Sequence, residues 1–185
     1  MKEYIEQYAA SFKTALDTVP AEQVADIVGQ YKKAIDEGKT IFVFGNGGSA
    51  MNVSHFATDM VKGATDALGK PVKVVSLNDN VGLITAIGND YSYDDVFLRQ
   101  LQVLARPGDL VMTLSVSGNS PNLVKAFEWA VDNGLQTIAL VGGKTCRLAE
   151  LAHTTLAVSS SHYGHVEDAH MMVCHMIAYS FMENA

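Results

Sequence analysis

Residues 41–49 read Ile41-Phe42-Val43-Phe44-Gly45-Asn46-Gly47-Gly48-Ser49, so an apolar, strand-like run passes directly into a glycine-rich loop. A helix-like stretch follows. Residues 110–120 repeat this arrangement as Leu110-Val111-Met112-Thr113-Leu114-Ser115-Val116-Ser117-Gly118-Asn119-Ser120. The small residues of each loop let backbone N–H groups and hydroxyls approach one small ligand. Because the first N–H groups of a helix lack partners and the macrodipole is positive there, each loop is a candidate anion site.

The remaining apolar runs predict an α/β fold. Strand-like runs occupy residues 40–44, 72–77, 109–114, 136–141 and 154–158. Helix-like stretches lie between them, at about 49–62, 80–89, 94–105, 120–133 and 145–151. Continuous apolar strands that alternate with helices predict a parallel sheet covered on both faces. Ligands of such sheets bind at the carboxyl ends of the strands, where both loops lie.

The loops allow two other interpretations. Each loop alone is also typical of a strand-to-helix turn with an N-cap serine. The first loop also matches the dinucleotide pattern Gly-x-Gly-x-x-Ala through Gly45, Gly47 and Ala50. That pattern requires an acid at the end of the second strand, and no acid occurs there before Asp79. Two serine-rich loops after two apolar strands favour a cradle for a small phosphorylated polyol.

Length and composition restrict the function classes. The 185 residues suit one domain, and 48% of them are hydrophobic and 18% charged. The net charge of −7 without a basic cluster argues against a primary nucleic-acid role. The two cysteines form neither a disulfide framework nor a zinc-finger spacing. The polar N-terminus is unlike a signal peptide, and no apolar stretch reaches about 18 residues. We therefore expect a cytoplasmic protein without a membrane span.

Histidines and carboxylates on two predicted helices are candidate catalytic or metal-binding residues. His55 and Asp59 are four residues apart and share a helix face. Glu167 and His175 are eight apart on the last helix, roughly 12 Å along its axis. They can serve one site only by leaning toward each other, or they serve different subunits. A histidine on an apolar helix is also typical of a hydrogen-bonded core residue.

The two ends of the chain are predicted to be helical. Residues 2–18 and 20–38 form two helices before the first strand, and the last helix covers about 165–183. The last helix is apolar nearly all round, through Met171, Met172, Val173, Cys174, Met176, Ile177, Ala178 and Phe181. We expect it to be buried inside the fold or between subunits.

Several motifs together resemble the sugar isomerase (SIS) domain family, and within it the phosphoheptose isomerase branch. They are Phe44-Gly45-Asn46-Gly47-Gly48-Ser49, His55-Phe56-Ala57, Gly88-Asn89-Asp90, Ser115-Val116-Ser117-Gly118-Asn119-Ser120-Pro121-Asn122, and Glu167-Asp168 with His170 and His175. The resemblance covers nearly the whole chain as a single SIS domain, residues 1–185. It implies a flavodoxin-like three-layer sandwich with a five-stranded parallel sheet, a homotetramer, and active sites between subunits.

The resemblance also implies roles for individual residues. It assigns substrate contacts to Asn46, Gly47, Ser49, Asp90, Ser115, Ser117 and Ser120. Asp59 occupies the position of the family's glutamate base, and His175 that of its acid/base histidine. His55 matches a histidine that binds zinc in some members. Two histidines and two carboxylates, His55, Asp59, Glu167 and His175, would suit zinc or a similar divalent ion.

Departures from the family pattern lie around the sugar rather than in the phosphate loops. Asp59 is one methylene shorter than glutamate, and Glu167 stands where the family has a glutamine. The other departures are Val116 for threonine, Gly164 for aspartate and His165 for arginine. We expect retained phosphate binding and an altered sugar-facing shell.

These patterns lead to one main hypothesis and two alternatives. The main hypothesis is an aldose–ketose isomerase that converts sedoheptulose 7-phosphate to a heptose 7-phosphate through an enediol. One alternative is a non-catalytic, sugar-phosphate-binding adaptor of the same family that binds a replication-initiation protein. The other is an isomerase of a different sugar phosphate.

Overall fold

The computed structural model describes residues 1–143 and 145–184 and confirms the α/β fold. Five strands form one parallel sheet in the order β2-β1-β3-β4-β5, which is the flavodoxin-like order. The strands are β1 (Ile41–Gly45), β2 (Val74–Ser76), β3 (Leu110–Ser115), β4 (Gln136–Gly142) and β5 (Thr154–Val158).

Helices cover both faces of the sheet. The helices before β2 are α1 (Lys2–Leu16), α2 (Ala21–Asp36), α3 (Gly48–Thr58) and α4 (Thr65–Leu68). Those after β2 are α5 (Val81–Asp90), α6 (Leu98–Leu104), α7 (Pro121–Asp132), α8 (Arg147–Leu151) and α9 (Tyr163–Glu183). A π-helical segment, Asp59–Ala64, joins α3 to α4, and a short 3₁₀ helix, Tyr93–Asp95, precedes α6.

Successive strand residues point to opposite faces of the sheet and contribute to two separate hydrophobic cores. Ile41 and Val43 of β1 point to the core formed with α2, α3 and α9. Phe42 and Phe44 point to the opposite core, formed with α5, α6, α7 and α8. All five residues of β1 are buried, because this central strand has a helical layer on each face. This sandwich holds the carboxyl ends of β1 and β3 side by side.

The structure extends two of the predicted helices. The predicted helix 49–62 continues to Leu68 through the π-helical segment, which has no signal in the hydrophobic pattern. The last helix begins at Tyr163, and one side of it is buried in the fold. Met176 and Tyr179 on its other side are exposed. Within the described part of the chain, no helix has the length and apolar character needed to span a membrane.

Candidate active site

The strand order brings the two predicted loops together. β1 and β3 are neighbours with Gly45 paired to Leu114, so the loops that follow them leave the same edge of the sheet. Gly47, at the N-cap of α3, has a φ of 57°, which glycine adopts without the strain that a side chain would cause. The chain therefore turns sharply from β1 into α3, and the first turn of α3 faces the second loop.

A cavity of about 130 Å³ lies between the loops. Its polar lining includes Asn46 and Ser49 from the first loop, Ser115, Ser117 and Ser120 from the second, and Tyr163 and Glu167 from α9. Val116 lines it too, so the expectation that the departures from the family pattern lie away from the phosphate loops is wrong for Val116 and Glu167. Ser49 is only 3% exposed. Within residues 1–143 and 145–184, no side-chain hydrogen bond involves the hydroxyls of Ser49 or Ser120, so both are available to a ligand. The Ser115 hydroxyl already accepts a bond from the Gly118 N–H, at 3.0 Å.

The two helix N-termini beside this cavity differ in their free donors. In α3 the N–H of Ala50 bonds back to the Gly47 carbonyl, at 3.1 Å, which leaves the N–H groups before it to face outward. In α7 the first residue is Pro121, which has no N–H. The N–H of Leu123 there is shared by the Ser120 carbonyl and the Asn122 side chain. The start of α3 is thus the stronger anion-binding end.

The Asn46 side chain bonds to two residues that had no predicted role, Asn122 and Tyr93. Its amide forms a reciprocal pair with the Asn122 amide, with both N–O distances at 2.9 Å. The Tyr93 hydroxyl also donates to Asn46 Oδ1, at 3.2 Å. Asn122 is the last residue of the motif at residues 115–122, whereas Tyr93 had no sequence signal because it lies on the separate 3₁₀ helix. These contacts fix the first loop against α7 and the 3₁₀ helix.

A second group of polar side chains lies where α3 passes into the π-helical segment. Asp59 Oδ2 is 3.5 Å from His55 Nε2 and 3.8 Å from His175 Nε2. One ligand atom from each of these residues lies within 4.8 Å of the other two. Asp59 Oδ2 is buried and has no hydrogen-bond partner within the described residues. Buried carboxylate oxygens without a partner are uncommon and point to a bound ion or a chemical role.

The helix geometry explains this grouping. His55 lies in the last turn of α3, and Asp59 is the first residue of the π-helical segment. This segment packs against α9, which supplies His175 from a half-buried position. The His55 and His175 rings meet edge to face, with centroids 5.1 Å apart. π-Helical segments are frequent at functional sites because the additional residue changes the direction of the side chains around it.

Two predicted site residues lie outside this second group. The Glu167 carboxylate lies over the first turn of α3: a Cβ placed on Gly48 would be 2.6 Å from both of its oxygens. The Asn52 side chain donates to the Glu167 carbonyl, at 2.9 Å, and ties α9 to α3 at this level. Asp90 ends α5 in an exposed position, and its carboxylate accepts a bond from the Asn89 side chain. Neither carboxylate joins His55, Asp59 and His175 within one chain.

Comparisons with known proteins agree with this arrangement. The family model described as "SIS domain" matches residues 3–142. A phosphoheptose isomerase of Aquifex aeolicus is 32% identical over 91% of this chain and 88% of its own length. A probable phosphoheptose isomerase of Thermoplasma acidophilum is 39% identical over 95% of this chain and 94% of its own.

A solved structure extends the match beyond residue 142. The phosphoheptose isomerase of Neisseria gonorrhoeae superimposes with a TM-score of 0.90 and 26% identity, over 98% of each chain. This match therefore includes α9, which carries Glu167 and His175 and lies outside the family model. The chain therefore belongs to the SIS domain family.

Proposed function

We propose that the protein is an aldose–ketose isomerase of a sugar phosphate, with sedoheptulose 7-phosphate as the main candidate substrate. The observation that carries this proposal is the pairing of Asp59 with His175, 3.8 Å apart, in a chain that also has a serine-lined cavity at a helix N-terminus. Relatives named phosphoheptose isomerase favour an enzyme over the non-catalytic adaptor.

The proposed chemistry needs a base for a carbon-bound proton and a group that moves protons between oxygens. Asp59 would take the proton from C1 of the ketose while the C2 carbonyl oxygen gains a proton, which gives the enediol. Return of a proton to C2 and loss of the proton on the C1 oxygen then give the aldose. His175 Nε2 would carry the protons between the two oxygens. The serine cavity would hold the phosphate through hydroxyls and the N–H groups of α3.

The group formed by His55, Asp59 and His175 also fits a divalent ion such as zinc. The three donor atoms lie within 4.8 Å of one another, with Asp59 Oδ2 at 3.5 and 3.8 Å from the two imidazole nitrogens. Two imidazoles and one carboxylate are a donor set that suits zinc. His55, Asp59 and His175 would hold such an ion. When bound, such an ion would polarise the substrate carbonyl. Asp59 and His175 would then act as its ligands in place of the proton-transfer roles given above. Glu167 could join this set only by leaving its position on α3.

The decisive experiment is an isomerase assay over heptulose, hexulose and pentulose phosphates, with and without chelator. We expect turnover with heptulose phosphate and about one metal ion per chain by elemental analysis of untagged protein. His55→Ala and His175→Ala should each lose the metal, since each removes one of its three proposed ligands. His153→Ala, an exposed histidine elsewhere, is the matched control. Metal-free protein with full activity would reduce the group to acid/base roles, and no turnover of any sugar phosphate would refute the enzyme.

Ser49→Ala and Ser120→Ala should each weaken sugar-phosphate binding by about 1–2 kcal/mol, the usual scale for a hydrogen bond to a charged group. The reason is that both hydroxyls line the cavity without a side-chain partner of their own. Calorimetric titration measures the change. Ser180→Ala, whose hydroxyl bonds to the Ile177 carbonyl on α9, should leave the affinity unchanged. Equal binding by all three variants would mean that the phosphate lies elsewhere.

We further propose a homotetramer with sites shared between subunits, as the resemblance implies. A groove of about 670 Å³ beside edge strand β2 contains none of the candidate site residues and is largely apolar, with exposed Val61, Val75, Leu83 and Leu104. Such a surface suits a subunit contact. Ser49 and Asp59 are also about 15 Å apart along α3 and the π-helical segment that continues it. If a second copy supplied part of each site, one substrate would not have to reach across this distance. The cytoplasmic location remains a prediction.

A further inference from the structure

The protein places one of its own carboxylates in the anion cavity. Glu167 lines this cavity together with the serines of both loops. Its two oxygens fill the space over Gly48, the first residue of α3, that a Cβ on this glycine would occupy. The buried Ser49 hydroxyl, which has no side-chain partner in the described part of the chain, opens into the same space. The position that suits a phosphate is therefore next to a negative charge.

The negative charge of Glu167 opposes the binding of a second anion in this cavity. Among the described residues that line the cavity, Glu167 is the only one that is charged, and no lysine or arginine lines it. The helix N-terminus favours one anion there, whether carboxylate or phosphate. Two anions within a few ångströms repel each other, and few mobile ions reach a partly enclosed cavity to screen them. A phosphate group can enter favourably only if the Glu167 side chain withdraws.

We propose that Glu167 is an internal competitor for the phosphate subsite and thereby a specificity-determining residue. This inference rests on the proposed function. A free phosphate or sulfate ion would have to displace the carboxylate with the contacts of the subsite alone. A sugar phosphate adds the contacts of its polyol chain, so it displaces the carboxylate more readily. Glu167 thus discriminates against inorganic anions.

Only the side chain has to move. The Glu167 backbone carbonyl is bonded to the Asn52 side chain, which keeps α9 in place against α3. Neighbours Val166 and Ala169 are fully buried, so the helix itself is anchored in the core. Rotation about the side-chain bonds of Glu167 is sufficient to vacate the subsite.

The test compares inorganic phosphate binding, by calorimetric titration, for the parent protein, Glu167→Gln and Glu167→Ala. Asp168→Asn removes a neighbouring exposed carboxylate and is the matched control. We expect phosphate to bind on the order of tenfold more tightly to both Glu167 variants, the scale for removing one nearby like charge. Asp168→Asn should change the affinity less than about twofold. Sulfate should follow phosphate, and thermal unfolding confirms that each variant is folded.

The outcomes separate this inference from the proposed function. Unchanged or weaker phosphate binding in both folded Glu167 variants, or no phosphate binding by any protein, would overturn the competitor role while leaving the isomerase assay to decide the activity. Tighter phosphate binding in a protein that isomerises no sugar phosphate would support the competitor role and refute the enzyme.

Discussion

His175→Asn is expected to lower the kcat of sugar-phosphate isomerisation by roughly 10²–10⁴-fold, the contribution of a positioned acid or base. Asp59→Asn should have an effect of the same order, because its amide cannot accept the carbon-bound proton. KM should change little, since the serine cavity that would hold the phosphate is formed by other residues. Steady-state assays with the preferred heptulose phosphate measure both constants.

The double variant makes the test sharper. If Asp59 and His175 act as one unit, the combined substitution should cost about as much as the worse single one rather than the product of both. His153→Asn serves as the control, since this exposed histidine bonds to Thr137 at the far end of β4. Full activity in His175→Asn would refute its catalytic role and revive the adaptor hypothesis.

Acidification should destabilise the protein through His170. This side chain is fully buried in the core, and neither ring nitrogen has a well-formed hydrogen bond within the described residues. Burial lowers the pKa of His170 from 6.5 to about 4, with the nearby Val141 backbone partly opposing the shift. The unfolded chain therefore takes up a proton first as the pH falls.

The expected size follows from the two pKa values. Above pH 6.5 His170 is neutral in both states and contributes no pH dependence. Between pH 6.5 and 4 it should cost about 3 kcal/mol of unfolding free energy, and below pH 4 the loss levels off. Urea unfolding at several pH values, with His170→Gln for comparison, isolates this contribution. Parallel curves for the two proteins would contradict the prediction.

The sequence predicts the fold well because the strands are nearly continuous apolar runs. The residues of β1 and β3 are all buried, so their pattern needs no knowledge of partners. The short β2 was predicted less well, as 72–77 instead of Val74–Ser76, because one side of this edge strand is open and Val75 is exposed.

The sequence predicted the parts of the candidate site whose positions follow from strand order or from spacing within one helix. The serine loops after β1 and β3 line one cavity because these parallel strands are neighbours. His55 and Asp59 are four residues apart, and the structure places their side chains together as that spacing requires. The position of Glu167 depends on how α9 packs against α3, and spacing within α9 cannot supply this information. The Tyr93–Asn46 contact joins residues 47 positions apart, so no local pattern signals it.

The π-helical segment constrains how many residues this part of the chain contains, as well as which residues they are. One additional residue accommodated within Asp59–Ala64 offsets everything beyond it by about 100° around the helix axis. Deleting a single residue between Met60 and Ala64 would rotate Asp59 by about 100° relative to the buried Ala64 and the helix beyond it. Over evolutionary time this segment should therefore accept exchanges of side chains far more readily than changes of length. We expect a relative with an insertion or deletion in this segment to lack the arrangement of Asp59 with His55 and His175.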